Sequence, residues 1–223
     1  MPAIVKFPVV VEEALGRLGD LFPNEPERRH FAEYLTGLMI AHKKNVSAIN
    51  REFAVSTDQS CLNRWVTGGD WDEESLNLER LAWLQESPDT RYSPEGIIAI
   101  DNTLVDHDGK YIEDTGCFWD HAEQRHKIAH DYIIANYICP SGKHYPLEFY
   151  RDGKQHLGMG ECQIRNGRGQ PRHMYLVFLA HSVLMRQLRQ GRAREWARER
   201  LTTIGRIQKG PFPCIIHTNK INW

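Results

Sequence analysis

The apolar pattern changes period near residues 87–94, and that change constrains the fold more than any other feature. Before it, Phe31, Tyr34, Leu35, Leu38 and Met39 stand at i, i+3, i+4, i+7 and i+8, the stripe that an amphipathic helix buries. After it come short apolar runs bounded by turn residues. Gly96-Ile-Ile-Ala-Ile-Asp101 reads as a buried strand, Lys127 to Cys139 as a long strand, and Lys143 to Phe149 as a third, entered through Pro140-Ser-Gly142. The helical period returns from Pro171 to Gln190, with Met174, Leu176, Val177, Leu179, Val183, Leu184 and Leu188. The expectation is an α+β fold. A helical domain occupies 1–86, about three antiparallel strands and a helix occupy 95–190, and a basic tail fills 191–223.

Within the first part the punctuation predicts several helices. Val11 to Leu21 is a short amphipathic stretch. Asn24-Glu-Pro26 breaks the chain before a helix from about Glu27 to His42, and Val46 to Phe53 is a second, short one. Ala54-Val55-Ser56 is a tight connection, with Ser56 placed to cap a third helix through Val66. Gly68-Gly69 ends that helix. Trp71 to Gln85 is a fourth, with Asp72, Glu73 and Glu74 in its first turn, where the helix dipole favours acids.

The 223-residue chain carries a net charge of −1, which conceals an asymmetry. From Glu148 onward there are 14 Lys and Arg against 5 Asp and Glu, whereas residues 1–147 hold 14 against 24. Such a split fits a polyanionic partner for the C-terminal part, or a solvated basic helix. No apolar run approaches the roughly 18 residues of a membrane span. The N-terminus has no small-residue cleavage site, so a cytoplasmic protein without a membrane partner is expected. Cys61, Cys117, Cys139, Cys162 and Cys214 form no CxxC pair, which argues against a zinc knuckle or a disulfide framework. There is no HExxH and no phosphate-binding P-loop, and Gly158-Met-Gly160 is too short for a dinucleotide fingerprint.

Three constellations carry chemistry. Val46 to Val66 has the texture of a helix-turn-helix. Ser56, Thr57, Gln59, Ser60, Asn63 and Arg64 are free to face a groove while Leu62, Trp65 and Val66 face a core. Gln59 and Asn63 carry the amide that pairs with adenine edges, and Arg64 the guanidinium that suits guanine or phosphate. An ordinary helical hairpin has the same pattern. Asp101, at the end of its strand, is placed for a metal or for capping a turn. Glu148, Arg151, Asp152 and Lys154 set carboxylate and cations close together, as a phosphodiester site or a charged helix face would.

These segments together resemble a known family. The run GIIAIDNTLVDHDGKYIEDTGCFWDHAEQRHKIAHDYIIANYICPSGKHYPLEF is similar to the first half of the RNase H-like catalytic domain of insertion-sequence DDE transposases. FYRDGKQHLGMGECQIRNGRGQPRHMYLVFLAHSVL is similar to its end. The N-terminal helices resemble the family's DNA-binding segment. The family carries a long stretch between those two strings, holding its second catalytic Asp. Here they meet at Leu147-Glu148-Phe149.

The resemblance implies a truncated RNase H-like domain and a protein of DNA transposition. Asp101 matches the first catalytic Asp and would bind Mg²⁺, the family's cofactor. Lys154 matches the Lys of the family's Y-R-E-K signature, which contacts DNA phosphates, and Arg151 lies in the same segment. The Glu of that signature falls at Leu147, so Glu148, one step away, is the candidate for the third carboxylate. Gln59, Asn63 and Arg64 belong to the DNA-binding segment. The implied partners are DNA at terminal inverted repeats, with a second copy or an intact transposase. With one secure carboxylate, strand cleavage and transfer are not expected, and the alternative is a non-catalytic DNA-binding remnant or regulator.

Overall fold

A computed structural model describes residues 3–106, 115–148, 168–192 and 215–216. Five helices come first: α1 (Val9–Leu18, followed by a 3₁₀ turn over Gly19–Leu21), α2 (Glu25–Ile40), α3 (Val46–Arg51), α4 (Gln59–Gly68) and α5 (Glu73–Gln85). Short polar side chains start four of them. Asn24 accepts from the Glu27 N–H at 3.0 Å, Asn45 from Ala48 at 2.9 Å, Asp58 from Ser60 at 2.7 Å and Asp72 from Ser75 at 2.7 Å. Each satisfies a donor that the first helical turn leaves unpaired. Asp58, and not Ser56, caps α4. The connection from α3 therefore runs over residues 52–58, longer than the tight turn expected, because α3 stops at Arg51.

Among the described residues the last helix is α6 (Gly169–Arg189), which is buried on all sides along most of its length. A helix apolar all round belongs at the centre of a body, and α1, α2, α4 and α5 pack around this one. Its apolar residues share one core with Phe22, Phe31, Leu35, Leu38, Trp65 and Trp71. Helices from the two ends of the sequence thus form a single packing unit. Two fully buried arginines fasten it. Arg172 lies 4.4 Å over the Trp71 ring, pairs with Glu73 at 3.1 Å, and donates to the carbonyls of Gly69 (2.9 Å) and Trp71. Arg80 donates to Ser182 of α6 at 2.7 Å and to the Pro146 carbonyl at 2.8 Å. Burial lowers its pKa to about 10, so it stays charged at neutral pH.

The sheet is antiparallel throughout, giving a mixed α+β fold. Strand β2 (Ile97–Asp106) pairs along one edge of the long β4 (Arg125–Ile138), with Ile97 opposite Ile138 and Asp106 opposite Ala129. Along the other edge, β3 (Gly116–Asp120) pairs with the start of β4 and β5 (His144–Glu148) with its end. Among the described residues the sheet has four strands where about three were expected, because Gly116–Asp120 folds back on β4 through the turn at 121–124. Separately, β1 (Ala3–Ile4) pairs with β6 (Ile215–Ile216).

The buried strand expected at Gly96–Asp101 is corrected in two ways. It runs on to Asp106, since Thr103, Leu104 and Val105 keep pairing with β4. Its isoleucines are exposed: 63% for Ile97, 60% for Ile98 and 71% for Ile100. A continuous apolar run signals a strand covered on both faces. Here Thr103, Val105, His130 and Ile134 on one face are buried, while Ile98, Ile100 and Ile133 share the other by strand alternation and stand open.

The stretch between helices and sheet is held firmly. Lys143 donates to the carbonyls of Pro88 (3.2 Å) and Arg91 (3.0 Å), Tyr145 to that of Thr90 (2.8 Å), and the Ser93 N–H to Tyr137 Oη (2.7 Å).

Candidate functional site

Helix α4 turns its apolar face inward and its polar face out. Leu62, Trp65 and Val66 are buried at 0%, 3% and 0% exposure. Trp65 packs in an aromatic group with Phe22, Tyr34 and Trp71. That packing fixes the rotation of α4 about its axis, and Gln59, Ser60, Asn63 and Arg64 consequently stand exposed. Ser56 and Thr57 are exposed in the connection before it. Asn50 of α3 donates to the Thr57 carbonyl at 2.9 Å, and Arg29 of α2 to that of Val55 at 2.9 Å, which ties the connection to the helices behind it. Gly37 lets α2 and α3 approach closely. A Cβ there would lie 2.3 Å from Ile49 Cγ2.

The polar face has a definite chemistry. Gln59 and Asn63 are one turn apart on the same side. Thr67 follows at the next step, and its hydroxyl is committed to the Asn63 carbonyl at 2.9 Å. Arg64 reaches back to Cys61 Sγ at 3.3 Å. The Asp58 carboxyl is held below its ordinary range, first by its hydrogen bonds from Ser60 and then by the charge of Arg64.

The two carboxylates assigned to the catalytic centre lie on the strands that flank β4. Asp101 is opposite Ile134, and Glu148 is opposite Ala135, so their backbones are two strand spacings apart, roughly 10 Å. Asp101 is exposed and sits in the middle of β2, not at its end. Glu148 is turned toward α5 and α6. Tyr175 donates to its Oε1 at 2.5 Å and Asn77 to its Oε2 at 3.3 Å. Asn77 also donates to the Leu147 carbonyl at 3.0 Å, and Arg80 to the same carbonyl at 3.3 Å. Burial, and then the neighbouring Glu148 carboxylate, push the Tyr175 hydroxyl well above its usual range, so it remains a donor. This network anchors the end of β5 to two helices. Sequence reasoning missed it, although Arg80, the one cation of α5, was a visible sign.

Phosphoryl transfer by two metal ions needs several carboxylates around cations roughly 3.5–4 Å apart. Among the described residues no three His, Cys, Asp or Glu side chains come together in a form that could hold a metal. Asp101 and Glu148 do not by themselves supply that donor set, because their backbones are two strand spacings apart, roughly 10 Å, and Glu148 is turned toward α5 and α6. Arg151 and Lys154 lie outside the described residues.

A different acidic group surrounds Lys127, whose side chain is 5% exposed. Its ammonium meets Asp106 at 3.0 Å, Asp120 at 2.7 Å and Glu123 at 2.5 Å. The cation is the ligand of these carboxylates, and it clamps the ends of β2 and β3 to β4. Among the described residues no helix is long and apolar enough to cross a membrane. No protein-family profile, curated protein or solved structure matches the chain.

Proposed function

We propose that this chain is a transposase-derived protein that binds duplex DNA, at the terminal inverted repeats of its element, without cutting it. The observation that supports this reading best is the outward polar face of α4, set at a fixed rotation by Leu62, Trp65 and Val66. A rigidly seated helix with amides and a guanidinium on its open side suits the major groove. The transposase ancestry rests on the resemblance of the sequence runs around Asp101, Glu148 and Lys154. The absence of cutting rests on the carboxylates. Among the described residues no group of carboxylates of the kind Mg²⁺-assisted transfer requires is present, and Glu148 serves as a structural acceptor. A second copy or an intact transposase is the expected protein partner at the element ends.

Fluorescence anisotropy with a short linear duplex tests the reading. Affinity should fall steeply as salt rises, because phosphate contacts release counterions. Arg64→Ala should weaken binding and reduce the salt slope by about 1. Absence of binding at low salt would contradict it.

A further inference from the structure

The side chains on α4 carry more than a general affinity for DNA. Gln59, Asn63 and Thr67 ascend one side of the helix in four-residue steps, each about 6 Å along the axis. The two amides are exposed. An amide presents a donor and an acceptor together, the pattern that matches adenine N7 and N6 in the major groove. Thr67 completes the series in an unusual way. Its hydroxyl is bonded to the Asn63 carbonyl at 2.9 Å and lies 3.5 Å from that of Arg64. With the oxygen committed to the backbone, the methyl is the group left for an apolar contact, and a threonine methyl suits the thymine C5-methyl. Beyond it, a Cβ added to Gly68 would meet nothing within 4 Å, so the helix end is open to a close approach.

The charges around this stripe set where it can lie. Arg64 on α4 and Arg51 on the contacting α3 are exposed cations for the phosphates. Asp58 precedes the helix and Asp70 follows it, both exposed. Their repulsion of phosphate centres the groove on the middle of α4, where the amides and the methyl are. From this juxtaposition we infer that α4 reads A·T base pairs, with Gln59 and Asn63 on adenine edges and Thr67 against a thymine methyl. The inference rests on the DNA-binding reading above and narrows it to a class of sequence.

The test compares two short duplexes of equal length, one with an A·T core and one with a G·C core, by anisotropy at fixed salt. The full chain should prefer the A·T duplex by about tenfold or more, the discrimination a good bidentate amide contact provides. Asn63→Ala should remove most of that preference while keeping residual, salt-sensitive affinity for both. Because Asn63 is exposed, its far-UV circular dichroism and melting should match the parent chain. Replacing thymine by uracil should weaken binding by the parent but not by Thr67→Ser, which keeps the hydroxyl and lacks the methyl. Equal affinity of the parent for both duplexes would overturn the A·T inference and leave DNA binding standing. Failure to bind either duplex would overturn both.

Discussion

Leu35 of α2 and Ile100 of β2 are both aliphatic and both lie in the middle of a regular element. Leu35 is fully buried, and Ile100 is 71% exposed. The contrast runs through the two regions. In the helical body, α6 brings apolar residues to every side, and α1, α2, α4 and α5 cover them. In the sheet, Thr103, Val105, His130 and Ile134 on one face are buried, while Ile98, Ile100 and Ile133 on the other stand mostly exposed. The residue types are alike in both places. The difference lies in whether a second layer exists to pack against, since apolar area stabilises a fold only when it leaves water. An open patch of isoleucine on a sheet is also an association hazard.

The largest effect should come from the body. Arg172→Leu leaves the partly exposed Glu73 and two backbone carbonyls without their partner, and should cost about 2–3 kcal/mol, the penalty for stranding buried hydrogen-bonding groups. Urea denaturation followed by tryptophan fluorescence would measure it. A loss within about 0.5 kcal/mol, the range of ordinary surface changes, would mean that the body does not depend on this staple.

A smaller, pH-dependent effect is expected where the sheet is clamped. The hydrogen bond from Lys127 holds Asp120 at about 2, below its ordinary 3.8, with further bonds from the Glu123 and Ala122 N–H groups. A depressed folded value means the stabilisation is present above about pH 4 and is lost as pH falls through about 2. Lys127→Met should return the Asp120 titration, read by NMR, toward its ordinary value. An unchanged titration would show that the clamp does not form.

Ile100→Thr should have the least effect on the fold, within about 0.5 kcal/mol, because little area is lost from the core. It should also reduce self-association in sedimentation velocity. A large destabilisation would reveal a cover over this face and would erase the contrast between the two regions.

The helical body was the more legible region. Asn24 before Glu25-Pro26, the spacing of Phe31 to Met39, and the stripe from Met174 to Leu188 each predicted an element that is present. The inward set Leu62, Trp65 and Val66 followed from the same periodicity. Boundaries were less readable. Ser56 and Asp58 are both good caps, and only the packing of α4 decides for Asp58. The sheet was misread where the signal is ambiguous. Ile97 to Ile100 has the composition of a strand buried on both faces, and sequence does not say whether a second layer is there. Gly116–Asp120 escaped notice because the turn that pairs it with β4, His121-Ala-Glu-Gln124, holds no Gly, Pro, Asn or Asp to announce a hairpin. The role of Glu148 was equally hidden, since its partners Asn77 and Tyr175 are about 70 and 27 residues away.

The proposed function is to hold DNA without breaking it. The most direct measurement is a gel of supercoiled plasmid with the full chain and Mg²⁺, at a protein level that retards the plasmid. Retardation is expected, with the supercoiled form recovered intact after the protein is removed. Nicked circles that form with the parent chain and disappear with Asp101→Ala would contradict it.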